Sequence, residues 1–177
     1  PSHNPGKIKN TGLPEIKALK LIKHPDIIDY YESFLSMDNI YIVMEYAAKG
    51  DFSKVLPLEL DRQRAEDQRE TLLRVRTLEY IRHSRQCSQI SALKSIIHRD
   101  IKLENIFLTE QGKVKIGDLG MSKVIQDPSE LISTRVGTPA YFAPEIIQHQ
   151  LYSYPVDVWA LGCVFYNLAT SSIPLNR

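Results

Sequence analysis

Two short apolar runs, Ile106–Leu108 and Val114–Ile116, flank the turn Glu110-Gln111-Gly112, and the hairpin they predict constrains the chain more than any other feature. The two ends of a hairpin are neighbours, so the residues leading into Ile106 must meet those leaving Ile116. The hairpin is entered from His98-Arg99-Asp100-Ile101-Lys102-Leu103-Glu104-Asn105 and left through Asp118-Leu119-Gly120. The pairing therefore delivers a second carboxylate to the cleft that holds Asp100 and Asn105.

Those groups suit phosphoryl transfer. A carboxylate must orient the attacking hydroxyl and accept its proton, a cation must offset charge on the γ-phosphate, and an amide oxygen can hold Mg²⁺. Asp100, Lys102 and Asn105 can fill these roles in turn, with Asp118 as a second oxygen ligand for the metal. In isolation Asp-Leu-Gly is ordinary turn chemistry. Its place after the hairpin is what gives it weight.

The rest of the chain frames this centre. After an irregular lead-in over residues 1–13, Pro14 opens a helix carrying Glu15, Ile16, Leu19 and Ile22, which His24-Pro25 ends. Ile28–Phe34 and Ile40–Glu45 are rich in β-branched and aromatic residues and read as a hairpin across Ser36-Met37-Asp38-Asn39. Residues 61–85 predict a charged, solvated helix without a chemical role. The segment 118–140 lacks periodicity and reads as a functional loop. Residues 156–169 read as a buried helix, since apolar residues cover nearly its whole circumference.

Charge and composition exclude several classes. With 22 basic and 21 acidic residues the formal charge is +1, which offers no drive toward nucleic acid or an acidic membrane. The longest apolar run, Val158 to Tyr166, is far shorter than a bilayer span, so no membrane insertion is expected. Cys87 and Cys163 stand apart from each other and from any His cluster, which argues against a disulfide framework or a zinc site and fits a reducing, cytoplasmic setting.

HRDIKLEN, GDLG, GTPAYFAPE and DVWALG occur in that order and resemble the catalytic loop, magnesium loop, activation segment and αF helix of eukaryotic protein kinases. Lys102 after Asp100, and Thr138 in Gly137-Thr138-Pro139, resemble the serine/threonine type. YYESF, YIVMEYAAKGDFSK, GDLGMSK and STRVGTP look most similar to the NIMA-related kinases. The resemblance implies an α+β, two-lobed fold: residues 1–47 as an incomplete small β lobe with a helix, two strands and a hinge, and residues 48–177 as a partial, mainly helical large lobe.

It also implies roles. Asp100, Lys102, Asn105 and Thr138 would be catalytic, with Asn105 and Asp118 on Mg²⁺. Met44 would be the gatekeeper, Glu45, Tyr46 and Ala47 the hinge whose backbone bonds adenine, Asp51 a ribose neighbour and Phe107 the floor of the adenine pocket. Thr134 resembles the activation-loop phosphosite, its phosphate pairing with Arg99. Asp157 would hold the catalytic loop through backbone hydrogen bonds, Glu145 would be a structural anchor, and His98 would pack in the core. ATP and Mg²⁺ are the implied cofactors. Protein substrates with Ser or Thr acceptors and regulatory protein partners are implied too, as is an association with cytoskeleton or centrosome.

The sequence departs from that pattern at one point. Glu15 stands where the family's ion-pairing glutamate stands, but the residues before it contain no GxGxxG and no strand ending in Val-Ala-Ile-Lys. A link shortened over residues 90–98, and an αF helix left partly uncovered, are further expectations. A catalytically impaired, kinase-like binding module or an incomplete fragment is therefore the competing reading.

Overall fold

The first described element, α1 (Leu13–Leu21), ends where His24-Pro25 denies the chain further helical geometry. The computed structural model describes residues 13–55, 96–170 and 172–174. The expected charged helix over 61–85 and the shortened link over 90–95 lie outside them. α1 buries Ala18 and Leu19 against Ile96 and Leu119, with Ile22, Ile42 and Val124 at the margin. That packing places the helix, and Glu15 on it, over the Asp118 loop.

β1 (Tyr30–Ser36) and β2 (Asn39–Met44) form the expected hairpin, paired antiparallel from Tyr30↔Met44 to Ser36↔Asn39. Met37 (φ 46) and Asp38 (φ 61) both turn left-handed, the geometry a two-residue loop needs to match strand twist. β1 begins later than Ile28, where the apolar run starts, because residues 26–28 are engaged elsewhere. Ile28 N donates to Ile116 O at 2.9 Å and Ile116 N to Asp26 O at 2.8 Å, so this stretch runs beside the central hairpin.

β3 (Ile96–Ile97) pairs with β6 (Lys123–Val124), while β4 (Ile106–Leu108) pairs with β5 (Val114–Ile116) in the register Ile106↔Ile116. β6 corrects the reading of 118–140 as a loop without regular structure. Its two residues are too few to show periodicity, and their partner lies in β3, remote in sequence.

Short 3-10 turns at Leu103–Asn105 and Pro139–Tyr141, and the helices α2 (Pro144–Ile147) and α3 (Pro155–Thr170), complete the described elements. α3 buries Val156, Asp157, Ala160, Leu161, Cys163, Val164 and Leu168, the three-and-four spacing of one stripe. Val158 is 58% exposed and Trp159 and Tyr166 are also exposed, so the helix is buried on one side, not all round. Apolar composition does not distinguish these cases; packing does. The stripe meets Phe52, Ile101, Leu103, Ile106, Leu108 and Tyr141, and each such aliphatic side chain, fully buried, contributes about 1.5–3 kcal/mol.

Candidate active site

The loop between β3 and β4 is built on a carboxylate from another element. Asp157, in the first turn of α3 and 3% exposed, accepts His98 N at 2.8 Å and Arg99 N at 2.9 Å. Arg99 has φ 68, a conformation costing about 1–3 kcal/mol that persists only where surroundings impose it. Burial pushes the Asp157 carboxyl up, opposed by His98, Arg99 and the two N–H bonds. His98 is buried, with Nε2 at 3.1 Å from Gly117 O and Nδ1 accepting Asp100 N at 3.3 Å. Both ring nitrogens are engaged, consistent with a packing role.

Asp100 is the hub. Thr138 Oγ1 donates to its Oδ1 at 2.6 Å, Lys102 Nζ lies 2.8 Å from its Oδ2, and Asn105 Nδ2 donates to the same oxygen at 3.0 Å. Lys102 Nζ also donates to Thr138 Oγ1 at 2.9 Å, closing a triangle. Burial raises the Asp100 carboxyl, but the bonds from Lys102 and Thr138 and the charge of Lys102 outweigh it and hold the group below the ordinary carboxylate range. A carboxylate ionised at neutral pH and already accepting a hydroxyl is suited to orienting an alcohol.

The hairpin brings Asn105 and Asp118 to one end. Gly117 N donates to Asn105 O at 3.0 Å, and Asp118 is the next residue. Asn105 Nδ2 is engaged by Asp100 O at 2.8 Å and by its carboxylate, which leaves Oδ1 as the amide's remaining polar atom. Asp118 is exposed, has φ 57 and accepts Gly120 N at 3.2 Å. Glu15 stands across from it: a side-chain carbon on Gly120 would lie 3.1 Å from Asp118 Oδ1 and 3.8 Å from Glu15 Oε2. Burial, and then the charge of Asp118, push the Glu15 carboxyl up. Among the described residues no cation pairs with Glu15, and no group of three His, Cys, Asp or Glu forms a metal cage. Mg²⁺ suits a sparser set of hard oxygens, and Asn105 Oδ1 with the Asp118 carboxylate is such a set.

Met44 ends β2 and is 37% exposed, and Tyr46 is 84% exposed. Glu45 N donates to Asp29 O at 2.8 Å, and Gly50 N to Ala47 O at 3.0 Å. Glu45 O and Ala47 N take part in no backbone hydrogen bond among the described residues. The Glu45 side chain meets the buried Lys115 Nζ at 2.5 Å. Lys54 N and the Ser53 hydroxyl bond the Asp51 Oδ1 and Lys54 Nζ its Oδ2 at 2.8 Å, so Asp51 caps the helical residues 52–55. Phe107 lies under Gly117, where an added carbon would sit 2.9 Å from its ring.

Arg99 and Thr134 meet. Arg99 Nη1 donates to Thr134 Oγ1 at 3.0 Å, while Nε reaches Met121 O at 2.6 Å and Nη2 reaches Ser122 O at 3.3 Å. Two residues that organise the site carry no signal in the sequence, and a third shows its constraint only in space. Lys115 is an unremarkable Lys in an apolar strand, and Tyr152 one of nine tyrosines. Gly137 stands inside a motif, but its need to be glycine shows only in three dimensions. It has φ 107, and a side-chain carbon there would press on the Arg99 carbonyl.

The protein kinase domain family matches residues 2–177. The chain is 39% identical over 156 residues to mouse serine/threonine-protein kinase Nek1, covering 88% of this chain and 12% of that protein. It is 37% identical over 163 residues to mouse Nek4, covering 92% and 20%, and 38% identical over 173 residues to human Nek5, covering 95% and 23%. It thus spans under a quarter of the length of each of these three relatives.

Proposed function

The chain belongs to the protein kinase domain family, and from that premise we propose that it transfers the γ-phosphate of ATP to Ser or Thr hydroxyls of proteins. The observation that carries this reading is the Thr138 hydroxyl seated on Asp100 at 2.6 Å with Lys102 Nζ bridging the two. The carboxylate can thus hold an alcohol of the Ser/Thr kind beside a cation. In the reaction an acceptor hydroxyl would donate to Asp100, which takes its proton as the oxygen bonds to the γ-phosphorus and the bond from that phosphorus to the bridging oxygen breaks, releasing ADP. Lys102 would offset charge on the transferred phosphoryl oxygens. Asn105 and Asp118 would hold Mg²⁺, which when bound neutralises phosphate charge.

Glu45 O and Ala47 N supply one acceptor and one donor, the complement of adenine's amino group and ring nitrogen. Phe107 supplies an apolar floor. Of the described residues, 13–47 would act as the small-lobe side of this cleft, and 48–55, 96–170 and 172–174 as the large-lobe side. Phosphate on Thr134 would add charge to the contact with Arg99 and tighten the segment between Asp118 and Thr138.

The test is Mg-ATP-dependent phosphorylation of a generic basic protein. Turnover in the parent and its loss by about 10²–10⁴ in Asp100→Asn are expected, the range for a general base. Equal turnover in the two would refute the assignment. One observation favours a second reading, a nucleotide-binding module without turnover: Glu15 faces Asp118 and no cation among the described residues. Saturable binding of a fluorescent ATP analogue in a parent that transfers no phosphate would select it.

A further inference from the structure

Tyr152 is 3% exposed, lies outside every motif of the site, and donates its hydroxyl to Thr134 O at 2.5 Å. Its backbone makes both bonds of an isolated antiparallel bridge: Ile132 N to Tyr152 O at 2.9 Å, and Tyr152 N to Ile132 O at 3.0 Å. Three hydrogen bonds thus converge on residues 132–134 from one residue. Apart from the buried Ile132, residues 131–135 are exposed and gain little from burial, so such bonds help decide where the segment rests.

The same stretch of chain also holds the catalytic loop. Shortly after Tyr152, Asp157 binds the N–H groups of His98 and Arg99, and the Arg99 guanidinium reaches Thr134 Oγ1 at 3.0 Å. The contacts form a closed ring: Tyr152 to Thr134, Thr134 to Arg99, Arg99 to Asp157, and back along the chain to Tyr152. Thr138, which bonds Asp100, is tethered within reach of that ring. A ring fixes relative position far better than its separate links, because each bond restricts the groups that make the next.

We propose that Tyr152 is a positioning residue: its hydroxyl holds the Thr134 carbonyl so that the Thr134 side chain meets Arg99, and thereby sets the segment 132–138 against Asp100. The phenol is needed for its hydroxyl, since the ring alone would fill the apolar space among Ile132, Ile146 and Val156 equally well. The effect on turnover rests on the kinase reading above. The effect on segment order does not.

The experiment is hydrogen exchange and kinetics on Tyr152→Phe, Thr134→Ala and the double variant. Tyr152→Phe is expected to speed amide exchange over residues 132–136 and at Arg99 roughly tenfold, the worth of one ordinary hydrogen bond, while residues 160–168 of α3 stay as in the parent. Turnover of a protein substrate should fall by a similar factor with KM for ATP unchanged, and the double variant should fall little further than either single one. Exchange unchanged over 132–136, or rising equally in α3, overturns the proposal. So do losses in turnover that simply multiply. If the parent itself shows no turnover, the kinase reading fails, and the exchange pattern alone still decides whether Tyr152 positions the segment.

Discussion

Replacing Gly137 by Ala tests how tightly the activation segment must approach the catalytic loop. At φ 107 a side chain there is strained by about 1–3 kcal/mol whatever its surroundings. The surroundings add a collision: the new methyl would fall inside van der Waals contact with the Arg99 carbonyl oxygen, with its carbon at 3.3 Å and the Phe142 ring at 3.4 Å. Arg99 cannot yield, because Asp157 holds its N–H at 2.9 Å. The segment carrying Thr138 must therefore move, and its 2.6 Å bond to Asp100 must lengthen. A displacement of about 1 Å at a reacting centre costs about 100-fold in rate, so kcat should fall by about that factor. Binding of a fluorescent ATP analogue should change little, since residues 45–47 are not touched. Gly112→Ala is the control: its φ of 79 imposes strain, but nothing lies within 4 Å, so it should lower stability and leave turnover intact. A Gly137→Ala enzyme as active as Gly112→Ala would refute the reasoning.

Three further outcomes are expected. Asp100 has its folded-state pKa depressed, so its contribution to stability is complete above the ordinary carboxylate value and disappears as pH falls through the folded one; Lys102→Met should melt below the parent at neutral pH, with the gap closing below about pH 4. A gap that widens in acid contradicts the assignment. Asp157→Asn replaces one of two acceptor oxygens by a donor and should lower the unfolding free energy by about 1–3 kcal/mol, read as a shifted urea midpoint at unchanged slope. Withdrawing Mg²⁺ with a chelator should weaken ATP-analogue binding severalfold in the parent and not in Asp118→Asn; an equal response in both removes Asp118 from the metal site.

Much of the site was legible because its residues are local in sequence. Asp100, Lys102 and Asn105 lie within one short loop, and the hairpin that returns Asp118 to them is announced by two apolar runs and Gly112. The turn at Met37-Asp38 and the ends of α3 are local in the same sense. The features that escaped the local patterns are long-range. The start of β1 is set by competition for Ile27 and Ile28 from Ile116, and β6 exists only because β3 lies beside it.

The sequence by itself determined which chemical groups this chain can bring to a phosphate and in what order they succeed one another, since spacing within a loop or a hairpin is enforced by covalent geometry. Only the tertiary structure decided what holds those groups still. Tyr152 grips Thr134, and Lys115 is buried against Glu45, each across a separation that hydrogen bonding and burial bridge and that no local pattern encodes.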